Sequence, residues 1–169
     1  MKSWSLPALL LVSMLITGCS GYQLGGTKPQ RLSNVVKLHV PTFENETLEP
    51  RLAVLVTNAV IKQLQVNGDY QIVGAADADA VLKARISDVE RNQFRAVRTN
   101  TLRTSQLQVN LRTDYKIVDG SGTSLHSGRA SGLSYVVLDP NFQTSERQAL
   151  SEAAERMAVN VANEISQGW

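Results

Sequence analysis

The sequence contains only one cysteine, Cys19, and only two histidines, His39 and His126, in 169 residues. A single thiol excludes disulfides within the chain, cysteine-based zinc sites and CxxC redox pairs. The motifs of several enzyme classes are also missing, among them GxSxG, HExxH and a phosphate-binding glycine loop followed by lysine. Both histidines fall in predicted strands with no metal partner beside them in sequence. We therefore expect a protein that is not an enzyme and that binds neither a metal nor a cofactor.

The sequence also lacks an apolar run long enough to span a bilayer as a helix, which takes roughly 20 residues. Residues 6–16 form an apolar run of 11 residues behind Lys2, and this matches the ~7–15-residue core of a secretory signal. The run closes with Ile16-Thr17-Gly18-Cys19, which resembles the bacterial lipobox. Small residues let the signal peptidase reach the backbone there, and the thiol accepts a diacylglyceryl group. An ordinary secretory signal with a chance cysteine is the alternative.

The lipobox divides the chain into three parts. We predict a signal peptide over 1–18, a lipidated Cys19 with an extended tether to residue 34, and a single domain over 35–169. Fatty-acyl chains such as palmitate on Cys19 hold a mature protein on a membrane without a transmembrane helix. Ser20 follows the cysteine where an aspartate would favour inner-membrane retention, which predicts the periplasmic side of the outer membrane.

Hydrophobic periodicity predicts the elements of the domain. In chain order they are a strand over 35–40, a helix over 50–67, strands over 80–90, 106–118 and 124–137, and a helix that begins at the N-cap Ser145. A short strand piece at 70–73 is a further candidate. Apolar and polar residues alternate strictly over 106–118, which is typical of a sheet with one face in the core and one face in water.

This order, β-α-β-β-β-α, predicts an α/β (α+β) two-layer sandwich. We expect a four-stranded mixed sheet with both helices packed on one face. The first strand–helix–strand unit should form a parallel pair with a right-handed crossover. Hairpins should join the later strands, with Asp119-Gly120-Ser121-Gly122 as one of the turns.

Acidic residues are missing from one long stretch. No aspartate or glutamate occurs between Arg91 and Thr113, and five arginines lie there: Arg91, Arg95, Arg98, Arg103 and Arg112. Since the formal net charge of the chain is only +2, electrostatic recognition must come from such local clustering. The guanidinium fork suits phosphates and carboxylates, so the loop predicted over 91–104 is a candidate anion site. A solvated hairpin tip is the alternative, and we expect no nucleic-acid partner beyond the inner membrane.

Several short motifs together resemble the LptE family of lipopolysaccharide-assembly lipoproteins. The chain has Gly21-Tyr22-Gln23-Leu24 after the lipobox, then a motif from Val40 to Thr47 (VPTFENET) before the first helix. Ala78-Asp79-Ala80-Val81-Leu82 enters the second strand, and an alanine-rich helix occupies about 149–162. Their order and spacing carry the resemblance, although Gly25 stands where many relatives have an arginine. No lysine or arginine occurs between Arg129 and Arg147, where some relatives have one.

The resemblance implies a two-layer α/β fold and a non-enzymatic role. Members of the family plug the lumen of the outer-membrane export barrel LptD, help it to fold, and bind lipopolysaccharide on its way to the outer leaflet. If lipopolysaccharide binds here, the loop before the third predicted strand must supply the contacts. We expect Arg98 to be the main contact, with Arg95 and Arg103 behind it.

An alternative keeps the anchor and the fold but changes the partner. Such a lipoprotein adaptor would activate a peptidoglycan synthase or a secretion pore. Only 15 residues separate Cys19 from the first predicted strand, and at ~3.3–3.6 Å per residue they extend about 50 Å at most. This short tether favours a partner in the same membrane.

Overall fold

The computed structural model describes the backbone of residues 28–97, 100–137 and 142–167, and their side chains except at 93, 95–97, 100–105 and 142. Cys19 and the tether up to residue 27 lie outside the described residues. The strands and helices are β1 (Lys37–His39), β2 (Glu44–Asn45), α1 (Leu52–Asn67), β3 (Gln71–Ile72), β4 (Ala80–Val97), β5 (Asn100–Asp119), β6 (Ser124–Val137) and α2 (Phe142–Gln167).

These strands form one mixed sheet in the order β3-β1-β4-β5-β6, with β2 also paired to β4. β1 runs parallel to β3 and to β4, which confirms the predicted parallel pairing across α1. The strands β4, β5 and β6 are antiparallel. The expected count of four strands is wrong, because the described part of the chain contributes six strands to the sheet. β3 lies within the short candidate strand piece over 70–73. β2 has only two residues, too few for a side-chain period of two to appear in the sequence.

The predicted loop over 91–104 is also wrong. β4 and β5 instead form one long hairpin of 18 and 20 residues, paired as far as Val97 and Asn100. The stretch contains no glycine or proline, so nothing in it interrupts a strand. Register shifts follow Gln93, Arg95 and Ala96, and such irregularities bend and twist a hairpin while the strands remain paired.

Both helices share one core with the sheet, so the predicted layered α+β arrangement is confirmed. α2 packs on β6 and β5, whereas α1 packs on α2 and on the short strands β2 and β3. α1 contributes four fully buried or nearly buried aliphatic side chains, Leu52, Val56, Val60 and Leu64. A hydrogen bond from the Tyr70 hydroxyl to the Ile165 carbonyl, 2.7 Å long, joins the segment between α1 and β3 to the last turn of α2.

The predicted end of the first helix is correct, whereas the predicted start of the last helix is not. α1 ends at Asn67, and Gly68 follows in the left-handed conformation with φ 76°, as expected for a glycine stop. α2 begins at Phe142, so the predicted start at Ser145 is wrong by three residues. Nothing in residues 142–144 opposes helix formation, and a capping pattern inside a helix is therefore a misleading signal.

Candidate binding surface

The outer face of the sheet, which points away from the helices, is set by the alternation along β5. Leu111, Tyr115 and Ile117 are buried on the core face. Their neighbours Asn110, Arg112, Asp114 and Lys116 lie on the other face and are exposed or half-buried. β4 and β6 continue this outer face on both sides of β5 through their register.

A basic end occupies the outer face near the start of β4. Lys83 lies directly opposite Lys116, which in turn lies opposite Ser127. The next row is Arg85, Asp114 and Arg129. These six residues, together with Glu44, Ala84, Tyr115 and Gly128, line a groove of about 580 Å³. We call this groove the basic groove.

The middle of the outer face is polar, with one arginine between two carboxylates. The Arg112 guanidinium donates to Asp88 over 3.3 Å and to Glu90 over 2.9 Å. The other side chains of these rows are uncharged and polar, with Asn110 opposite Glu90 and Gln108 opposite Asn92.

The far end of the outer face, toward the tip of the β4–β5 hairpin, is apolar and aromatic. The rings of Phe94 and Tyr135 meet edge to face with centroids 4.8 Å apart. Both remain partly exposed, at 47% and 40%, and Val137 beside them is 64% exposed. The outer face therefore changes from basic to mixed polar to apolar along about ten residues of each strand.

Two of the five clustered arginines are neutralised by carboxylates that are distant in sequence. On the core side of β4, Arg91 donates from Nε to Glu146 and from Nη2 to Glu49, both over 2.6 Å. Arg112 is paired as described above. The sequence suggested an acid-free cluster because these glutamates lie 55 and 42 positions from Arg91. The lack of acidic residues near an arginine in the sequence therefore does not predict the charge around that arginine in the folded protein.

The three arginines predicted as the anion site are not tested by these contacts. Arg95 and Arg103 occupy strand positions in β4 and β5, and their side chains are not described. Arg98 lies outside the described residues. Their proposed role in ligand binding stays a prediction, and only the backbone location of Arg95 and Arg103 is now fixed.

Sequence reasoning overlooked Lys83 and Lys116 as candidate ligands. Both alternate onto the wet face of predicted strands, so the signal was present. Periodicity alone does not identify the pair, because the register between β4 and β5 decides whether Lys83 and Lys116 lie opposite each other, and periodicity does not supply that register.

One titratable cluster lies on the core side. The Tyr115 hydroxyl donates to Glu164 over 2.7 Å and lies 3.4 Å from Nε2 of His126. Burial, with the hydrogen bond to Glu164 next in importance, raises the pKa of Tyr115. A phenol held protonated in this way serves as a hydrogen-bond donor and not as a general base.

Within residues 28–97, 100–137 and 142–167, no group of three or more His, Cys, Asp or Glu side chains is arranged to hold a metal ion. The helices of this described portion are also too short or too polar to cross a membrane.

Comparison with known proteins identifies a family and a fold. The model of the LptE family, described as lipopolysaccharide-assembly, matches residues 35–166. No curated protein sequence matches the chain significantly. Among solved structures, protein XCC0632 from Xanthomonas campestris is similar with a TM-score of 0.59 at 9% identity, over 83% of this chain and 89% of that one.

Two further solved structures share the fold. A minor lipoprotein from Acinetobacter baumannii gives a TM-score of 0.54 at 17% identity, over 78% of this chain and 91% of that one. PelC from Paraburkholderia phytofirmans, which forms a dodecamer, gives 0.51 at 16% identity, over 85% and 96%. At these identities the likeness concerns the fold alone.

Proposed function

Because the chain belongs to the LptE family of lipopolysaccharide-assembly lipoproteins, we propose that it plugs the outer-membrane export barrel LptD and assists its assembly. In this proposal the protein is anchored through Cys19 on the periplasmic side of the outer membrane and reaches into the barrel lumen. It also binds lipopolysaccharide during delivery to the outer leaflet. It performs no catalysis and acts through its surfaces.

The observation that carries this proposal is the outer face of the long hairpin. Its middle rows present exposed or half-buried polar side chains such as Asn92, Gln108 and Asn110. The lumen of a large barrel is itself polar, so a polar sheet face suits contact with that wall better than contact with lipid. At about 3.3 Å per residue, strands of this length extend on the order of 60–65 Å, which is more than the thickness of a bilayer.

A pull-down of the native lipoprotein from detergent-solubilised outer membrane tests the proposal. We expect the wild-type protein to recover the export barrel. Asn110→Arg introduces a long charged side chain in the middle of the outer face and should reduce that recovery severalfold. Asn58→Arg, on the exposed side of α1, is the matched control and should recover the barrel as the wild type does.

Two outcomes would contradict the proposal. Recovery of a peptidoglycan synthase or a secretion pore without the barrel would favour the adaptor function instead. Equal recovery by Asn110→Arg and Asn58→Arg would show that the outer face does not contact the barrel.

A further inference from the structure

We propose that the basic groove binds the phosphate groups of anionic phospholipids in the membrane that holds the tether. This site lies toward the opposite end of the β4–β5 hairpin from the backbone of Arg95 and Arg103. The inference goes beyond the proposed function, and its choice of a membrane rests on the predicted lipidation of Cys19.

The first argument is the row that contains Lys83 and Lys116. Like charges directly opposite each other on neighbouring strands destabilise a sheet, because the Cβ atoms of such residues lie only about 4.5–5.5 Å apart. Neither lysine has an ion-pair partner among the residues that the structure describes. Folding alone therefore gives no reason for this pair, whereas an anion between the two ammonium groups would remove the repulsion.

The second argument is the charge of the surrounding groove. Arg85 and Arg129 flank Asp114, which is 3.9 Å from Arg85 and 2.9 Å from Arg129. Glu44 also lines the groove, so its lining has four cationic and two anionic side chains. Glu46, just outside the lining, pairs with Arg85 over 3.3 Å, and the lining cations that keep no ion pair with a described residue are Lys83 and Lys116. Ser127 supplies a hydroxyl donor beside Lys116.

The third argument is the place where the tether joins the domain. Lys28 Nζ donates to the Asp69 carbonyl over 2.6 Å and lies 4.1 Å from the centre of the Tyr70 ring. This contact holds the beginning of the described chain beside β3, at the end of the sheet where β1 and β4 begin. Lys83 is only three residues into β4, so the tether and the basic groove share one end of the molecule.

The tether length then favours a membrane as the source of the phosphate. Eight residues separate Lys28 from Cys19, and the chain between them reaches at most about 30 Å. A lipidated Cys19 keeps this end of the domain close to the head groups. A basic patch near a bilayer gains about 1 kcal/mol per lysine from anionic lipids and cooperates with an acyl anchor.

Vesicle flotation tests the proposal on the full mature chain carrying Cys19→Ser, so that no acyl chain contributes. The probes are vesicles of one part phosphatidylglycerol to two parts phosphatidylcholine, and vesicles of phosphatidylcholine alone. We expect binding only to the anionic vesicles. The double variant Lys83→Gln/Lys116→Gln should bind them about 30-fold more weakly.

The matched control is Lys62→Gln/Arg147→Gln, which removes the same charge from the helices and should bind as the wild type does. Thermal unfolding supplies a second readout, because removing the opposed lysines should leave the melting temperature unchanged or slightly raised. A wild-type chain that ignores anionic vesicles overturns the proposal, as does equal weakening in both double variants. Binding of free inorganic phosphate at Lys83 and Lys116 without vesicle binding would overturn the membrane as the source. None of these outcomes depends on recovery of the barrel.

Discussion

At the scale of single residues, two glycines of β6 decide how closely other groups approach the strand. A Cβ at Gly132 would lie 1.8 Å from the Ala153 carbonyl oxygen and 2.7 Å from the Met157 nitrogen. α2 therefore rests directly on the backbone of β6, and Ser134 Oγ fixes it there by donating to the Ala149 carbonyl over 2.7 Å. A Cβ at Gly128 would lie 2.6 Å from the Tyr115 hydroxyl oxygen, so this glycine provides the space for the buried phenol.

Gly132→Ala should destabilise the fold strongly, because the clash is with the backbone of a helix, which cannot rotate away. We expect a loss of about 3 kcal/mol or more in the free energy of unfolding, at the upper end of overpacking effects. Urea unfolding followed by circular dichroism measures the loss. Gly120→Ala is the control, since no atom lies within 4 Å of its Cβ position. Equal stability of the two variants would contradict this account of the packing.

The stability at alkaline pH should depend on Tyr70. Burial, with the nearby Asp69 charge second, raises the pKa of Tyr70 to about 12. Its contribution to stability is complete below the unfolded-state pKa of about 10 and is lost as the pH rises toward 12. Tyr70→Phe loses the hydrogen bond to Ile165 and should be about 1 kcal/mol less stable at pH 7. Above pH 10 the unfolding free energies of wild type and variant should converge. A difference between them that stays constant with pH would contradict the raised pKa of Tyr70.

At the scale of elements, Arg91 joins three parts of the fold. It projects from β4 and binds Glu49, three residues before α1, and Glu146, one turn into α2. The starts of the two helices and the stem of the hairpin are thus held together by one guanidinium, whose side chain is only 29% exposed.

Arg91→Gln should loosen this junction. Leaving two half-buried glutamates without their cation should cost about 1–3 kcal/mol of unfolding free energy, measured by urea titration near neutral pH. Arg156→Gln breaks an exposed i,i+4 pair with Glu152 and should cost no more than about 0.5 kcal/mol. A result in which Arg156→Gln is the more destabilising variant would contradict the role of Arg91.

The elements also separate what sequence can predict from what it cannot. The helix α1 and the strands β5 and β6 follow from local periodicity, because their apolar residues repeat at 3.6 or at 2 and glycines mark their ends. The extension of β4 and β5 into the predicted loop, and the pairing of Arg91 with distant glutamates, depend on register and tertiary contact. For the same reason, alternation along the strands predicts that Lys83 and Lys116 are exposed but does not predict that they lie opposite each other.

At the scale of the whole molecule, the basic groove and the backbone of Arg95 and Arg103 lie toward opposite ends of the β4–β5 hairpin. Lys83 and Arg95 are 12 positions apart along β4, on the order of 40 Å. A ligand held near Arg95 and Arg103 is therefore separated from the tether end by that distance.

We expect lipopolysaccharide binding to depend on Arg95, Arg98 and Arg103 and not on the arginines of the helical side. The triple variant Arg95→Glu/Arg98→Glu/Arg103→Glu should bind purified lipopolysaccharide about tenfold more weakly or worse, because charge-assisted hydrogen bonds to phosphate are replaced by repulsion. Binding of the full mature protein to labelled lipopolysaccharide measures this. The control variant is Arg51→Glu/Arg147→Glu/Arg156→Glu, which reverses three charges on the helical side. Unchanged binding in the triple variant would show that these arginines do not bind lipopolysaccharide and would favour the alternative of a solvated hairpin tip.

The junction at Arg91 also gives the hairpin a mechanical character. Beyond Arg91 the strand β4 continues for six residues, about 20 Å. Under the proposed function, a force that the barrel wall or lipopolysaccharide exerts on this end of β4 would act with that lever arm on the Arg91 junction. It would reach the beginnings of α1 and α2 through the ion pairs to Glu49 and Glu146.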